Sequence, residues 1–81
     1  MRLDQAVRRE REAIRLHEST AIRQEASAVQ FDERAAEDAS DEERSRSLGR
    51  AATARARAVR ARERANRARA QLLAEGFDPD D

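Results

Sequence analysis

Residues Ala51, Ala54, Ala58, Ala61, Ala65, Ala68 and Leu72 recur at intervals of three and four, and six of these seven positions are alanine. That alternation is the seam of a coiled-coil helix, so this stretch must be helical and must lay one narrow stripe against another helix. An alanine seam offers little apolar area but lets its partner helix approach closely. The turns around it are dense in arginine. A chain organised on such a stripe cannot form a thick globular core, and its partner helix must come from elsewhere in the chain or from another molecule.

The earlier half of the chain supplies a candidate. Leu3, Val7, Ile14, Ala21, Ala28 and Ala35 mark one face over residues 3–39, with Glu10, His17, Gln24 and Phe31 completing the heptad. The apolar stripe widens toward Ile22, Val29 and Ala36, as expected when a 3.6-residue helix drifts against a 3.5-residue repeat. Ser40-Asp41-Glu42-Glu43 then reads as a capping box. Ser40 is expected to accept from the N–H of Glu43 and Glu43 to reach back, while three acids suit the helix N-terminus. A second helix is therefore expected over residues 41–75. Gly76 fits a left-handed stop, with Phe77 folding back on Leu72 in a Schellman contact. Two other arrangements fit the pattern: a turn at the weaker Ser45–Gly49 stretch, or one uninterrupted rod. The turn near residue 40 gives two arms of nearly equal length.

These observations predict an all-α, antiparallel two-helix hairpin over residues 1–76, followed by an acidic tail over 77–81 expected to fray. Folding about residue 41 pairs Phe31 with Ala51, Ala28 with Ala54, Gln24 with Ala58, Ala21 with Ala61, His17 with Ala65 and Ile14 with Ala68. The helix–helix seam thus comprises Val7, Ile14, His17, Ala21, Phe31, Ala51, Ala54, Ala58, Ala61, Ala65, Ala68 and Leu72. In that register Glu25 is expected near Arg55 and Glu18 near Arg62, while Arg11 falls near Arg69 as a mismatch. Charge favours folding back: residues 1–43 carry seven arginines against twelve acids, net −5, and residues 44–72 carry ten arginines against one acid, net +9. Opposite arms attract, whereas two parallel basic arms would repel.

Size adds a constraint. Of the apolar residues, which are 38% of the 81-residue chain, 18 are alanine and only 13 are larger. No cysteine is present, so neither a disulfide nor a thiolate metal site can supplement the core. Self-association or docking on a larger partner is the remaining route, and a four-helix bundle is its simplest form. The surface suited to it is the strip Ile22, Val29, Val59 and Leu73, which one hairpin cannot bury. All 17 basic residues are arginine. Arginine and alanine codons are GC-rich, which suits a bacterial or phage source. No apolar run resembles a signal peptide or a membrane span, so a cytoplasmic location is expected, with no membrane partner.

Catalysis finds no support. His17 is the only histidine, has no second ligand or base partner at helical spacing, and reads as a polar seam residue that fixes register. The acids Asp32, Glu33, Glu37, Asp38, Asp41, Glu42 and Glu43 lack calcium-loop spacing and read as a solvated face with a helix cap. The serines have no positioned His–Asp pair and no glycine-rich phosphate loop occurs. No cofactor, metal or catalytic residue is expected. The remaining candidate is an arginine face: Arg46, Arg50, Arg57, Arg60, Arg64 and Arg67 fall on one side of the second helix, joined by Arg9, Arg23 and Arg34 of the first. Three readings fit it: a solvated surface, an acidic protein ligand, or nucleic-acid phosphates. The leading function is a non-catalytic protein-interaction or assembly component, an adaptor, scaffold or small inhibitor. The alternative is nucleic-acid binding by the arginine face.

Overall fold

The computed structural model describes residues 2–80 and is all-helical, with α1 at Arg2–Glu37 and α2 at Asp41–Ala74. The two helices pack along their whole length as an antiparallel hairpin of 58 × 16 × 15 Å. Its long dimension is that of a single helix of α1's length at ~1.5 Å per residue. Neither helix is long and apolar enough to cross a membrane.

The chain reverses at residues 38–40, and the local chemistry explains why there. Ser40 is extended (φ −115°, ψ 151°) and its Oγ accepts from the Glu43 N–H at 3.1 Å, satisfying one orphan donor of α2. The reciprocal half of the expected capping box does not form among the described residues. Arg44 instead ties the turn together, donating to the Asp38 carbonyl at 3.3 Å and pairing with Asp41 at 3.0 Å. Ser45 to Gly49 stays helical. An added Cβ at Gly49 would meet nothing within 4 Å, so this glycine weakens the helix without breaking it.

The seam is built mostly from alanine. Ala21, Ala28 and Ala35 on α1 and Ala51, Ala54, Ala58, Ala61, Ala65 and Ala68 on α2 are buried; within the described parts of the two helices the only larger buried apolar residues are Val7, Ile14 and Leu72. Labelling Ala21 and Ala58 as heptad position a, every a position of α1 from Val7 to Ala35 is buried. Its d positions Glu10, His17, Gln24, Phe31 and Asp38 are only half-buried. On α2 both a and d positions are buried, down to Ser47, whose Oγ donates to Asp38 Oδ2 at 2.8 Å. α1 is therefore rotated to bury its small and aliphatic row, and its longer polar row lies along one edge of the contact.

The far end of the hairpin is closed by the residues after α2. Gly76, at φ 88°, is the only positive-φ residue described, and the Schellman pair forms: Gly76 N–H donates to Leu73 O at 3.0 Å and Phe77 N–H to Leu72 O at 2.9 Å. Phe77 then packs on the cluster of Val7, Ile14, Ala65, Ala68 and Leu72. The expected tail extends to Asp81, which lies outside the described residues; residues 78–80 lie back on the hairpin. Pro79 is buried, the Asp78 carbonyl accepts from Arg11 Nε at 2.8 Å, and Asp80 lies 3.6 Å from Arg69 Nε. Two arginines and an aromatic anchor hold a segment that its acidic composition alone would leave loose.

Candidate functional site

The hairpin has two flanks, and their electrostatics differ. On the e side of the seam, Asp32 pairs with Arg55, Glu25 with Arg62 and Glu18 with Arg69. Both Nε and a terminal nitrogen of Arg62 lie 2.7 Å from one Glu25 oxygen. The hydrogen bond and the charge of Asp32 raise the pKa of Arg55 above its ordinary value. These partners differ by one heptad from the expected Glu25–Arg55 and Glu18–Arg62 pairs. Side chains lean toward the N-terminus of their own helix, so in antiparallel helices Glu18 and Arg69 lean toward each other's level while Glu18 and Arg62 diverge. The same shift removes the expected clash of Arg11 with Arg69. Arg11, next in the ladder, faces the chain beyond α2 and finds the Asp78 carbonyl.

The opposite flank carries arginines, with acids beside them at its turn end. Arg50, Arg57 and Arg64 occupy successive g positions of α2, with Arg46, Arg60 and Arg67 at the neighbouring c positions. Across from them the same row of α1 runs Ala13, Thr20, Ser27 and Arg34, with Arg9 and Arg23 at the neighbouring c positions. Among the described residues no carboxylate lies within salt-bridge distance of Arg50, Arg57, Arg60, Arg64 or Arg67, and Arg46 only reaches Glu42 at 3.9 Å. Two adjoining depressions follow this flank. One lies among Gln24, Ser27, Phe31, Arg50 and Arg57, and the other among His17, Thr20, Gln24, Arg57, Arg60 and Arg64. Together they form a shallow groove whose floor is the half-buried d row of α1 and whose α2 wall is arginine. At its turn end Asp38 and Glu43 border Arg46 and Arg50. Phe31 is clasped there by Arg34 and Arg50, whose guanidinium carbons stand 5.8 and 6.0 Å from the ring centre.

His17 borders this groove half-buried, beside Thr20 and Arg64 and away from any second histidine or acid pair. The acids of the turn are dispersed among separate partners: Asp32 to Arg55, Asp38 to Ser47, Asp41 to Arg44 and Glu42 toward Arg46.

The apolar strip is also placed. Ile22, Val29, Val59 and Leu73 are all more than half exposed, as are Leu3 and Leu16. Ile22 and Val29 form a row on α1 and Val59 and Leu73 a row on α2. The e-side ion pairs run between the two rows, so the strip is divided, not continuous as the sequence suggested. Leu16 was not foreseen; it lies at a c position flanking the α1 side of the arginine groove, and its signal was the spacing of Ala13, Leu16 and Thr20. Neither a protein-family model, nor a curated protein, nor a solved structure matches the chain.

Proposed function

We propose that this chain is a non-catalytic protein-interaction or assembly component whose hairpin contributes two helices to a larger bundle, a four-helix bundle being the simplest. One observation carries this reading: the hairpin buries alanine and exposes larger side chains. Among the described residues twelve buried side chains are alanine, valine, isoleucine or leucine, and nine of these are alanine, whereas Leu3, Leu16, Ile22, Val29, Leu48, Val59 and Leu73 are exposed by 48% to 64%. Lone exposed aliphatics are ordinary, but rows of them on a molecule with so thin a seam point to a covering surface supplied from outside. A helix seated along the Ile22–Val29 row or the Val59–Leu73 row buries that row and leaves the central ion pairs at the rim. The test is Val59→Glu, which places a charge in the covered surface. Sedimentation should show a smaller assembly, or co-purification a lost partner, with helicity unchanged. Unchanged mass and capture would remove this surface from the reading.

A second reading is favoured by the arginine flank, whose cations lack internal acids: the groove binds nucleic-acid phosphates. In that case affinity for duplex DNA should fall with salt at about −0.9 in log–log slope per phosphate contact. Reversal of Arg57, Arg60, Arg64 and Arg67 to Glu should abolish binding regardless of sequence.

A further inference from the structure

The two flanks, compared position by position, identify what is missing from one of them. On the e flank, α1 presents acids at seven-residue spacing, Glu18, Glu25 and Asp32, and α2 answers with arginines at the same spacing, Arg69, Arg62 and Arg55. On the g flank, α2 presents another such ladder, Arg50, Arg57 and Arg64, and α1 answers with Ala13, Thr20, Ser27 and, beside Arg50, Arg34, none of them acidic. The cationic half of the motif is present and the anionic half is absent. We propose that the arginine groove receives an acidic α-helix of another protein, carrying carboxylates every seventh residue and lying along the hairpin as a third strand of the bundle. This rests on the reading of the chain as an interaction component and names the chemistry of one partner.

Geometry favours a helix over other polyanions. Arginines one heptad apart on a helix stand about 10.5 Å from one another, the spacing of heptad carboxylates on a partner helix. Every third phosphate of a DNA strand also advances about 10 Å along the duplex, but the strand winds through more than half a turn over the roughly 21 Å that Arg50, Arg57 and Arg64 span, so a straight row cannot follow it. On the α1 side, Thr20 and Ser27 border the groove and Leu16 and Arg23 flank them, offering small polar residues and one exposed leucine to an approaching helix. Bases find no free platform: Phe31 is held between Arg34 and Arg50, and Phe77, half-buried, packs against the core cluster at the far end. A second copy of the chain does not fit as occupant. Its heptad acids Glu18, Glu25 and Asp32 are already paired, and the corresponding outer positions Glu12, Ser19, Ala26 and Glu33 are not an acidic ladder.

The test uses the full chain and a labelled synthetic helical peptide of about four heptads with glutamate at every seventh position and an alanine–leucine seam. A control peptide has the same composition with the glutamates out of heptad spacing. A DNA duplex and an oligothymidylate are the nucleic-acid probes. Fluorescence anisotropy at about 0.15 M salt should show the heptad peptide binding at least about tenfold more tightly than its control and than either DNA. The Arg57→Glu, Arg64→Glu double variant should lose at least about tenfold. A peptide with lysine at the heptad positions should bind that variant and not the wild type, which excludes loss through misfolding. Equal binding of the two peptides, or tighter binding of either DNA, overturns the proposal, as does failure of the lysine peptide to rescue. Ile22→Glu with Val59→Glu lies outside the groove and should leave peptide binding unchanged. If that variant loses assembly while wild type ignores the peptide, the interaction reading stands and the groove proposal falls.

Discussion

At the open end of the hairpin, Val7, Ile14 and Leu72 meet over Ala65 and Ala68, and Phe77 closes over them. One heptad further along α1, Ala21 meets Ala58 and Ala61 and nothing larger. Ile14 and Ala21 occupy the same heptad position and are equally sealed from solvent, at 2% and 0% exposure. What differs is volume. Each buried methylene contributes about 0.8 kcal/mol, so a seam leucine or isoleucine outweighs an alanine by roughly 2 kcal/mol. The open end therefore holds the helices together, and the middle mainly lets them come close. A close middle has a second effect: the long side chains His17, Gln24 and Arg57 have no room between the helices and line a groove beside them. Stability and surface chemistry are thus divided along one continuous seam.

The sharpest way to break this contrast is Leu72→Ala, which makes the open end resemble the middle. Leu72 is 2% exposed and is among the largest fully buried side chains. Its truncation should cost about 2–5 kcal/mol, a large part of what a domain of this size possesses. Urea titration followed by circular dichroism should show the midpoint falling steeply. A loss below about 1 kcal/mol would mean that the end is no anchor.

The converse change, Ala61→Leu, makes the middle resemble the end. Ala61 is 1% exposed against Ala21 and Ala58, so the added carbons have no space unless the helices separate. A cost of about 1–3 kcal/mol is expected. A gain in stability would show that the middle is under-filled and that the close approach is not a packing minimum.

Gly49→Ala tests whether the turn-side part of α2 is limited by backbone propensity and not by packing. Gly49 is exposed, and a Cβ there meets nothing within 4 Å. The substitution should raise stability by up to about 1 kcal/mol, read as a higher thermal midpoint. No change would assign the weakness of this segment to the polar Ser47–Asp38 layer instead.

How much of this was legible follows from the kind of interaction involved. The alanine seam and both helices follow from periodicity, because burial on a helix repeats with the helix. The Ser40 cap and the Gly76 stop follow from local backbone chemistry, which needs no tertiary information. The ion-pair register did not follow, because it depends on the lean of Glu18 and Arg69 toward their own N-termini and not on which Cα atoms face each other. The contacts of the tail did not follow from composition either: Arg11 and Arg69, remote in sequence, meet Asp78 and Asp80. The arginine face was visible as a stripe. Its groove was not, because that depends on α1 rotating to bury its a row and leave His17, Gln24 and Phe31 half-exposed.

The smallest expected effect concerns the ion pairs, and it asks whether the alanine middle leans on charge where it lacks volume. Glu25 and Arg62 flank that middle, with side chains 47% and 49% exposed. Their attraction is therefore largely screened, and a double-mutant cycle with Glu25→Ala and Arg62→Ala should give a coupling of about 0.5 kcal/mol. The equivalent cycle on Glu18 and Arg69 has side chains only 36% and 30% exposed, and Arg69 also faces Asp80. Its coupling should be the larger of the two, and part of it should vanish in an Asp80→Asn background. Both couplings should shrink as salt rises toward 1 M, where the screening length falls to about 3 Å. If the middle pair proved the stronger, charge would be compensating for the missing apolar area, and the open end would no longer be the dominant clamp. If neither pair coupled measurably, the e-flank ladder would set register without adding stability, and the matching arginine ladder across the seam would be expected to contribute specificity to a partner more than affinity.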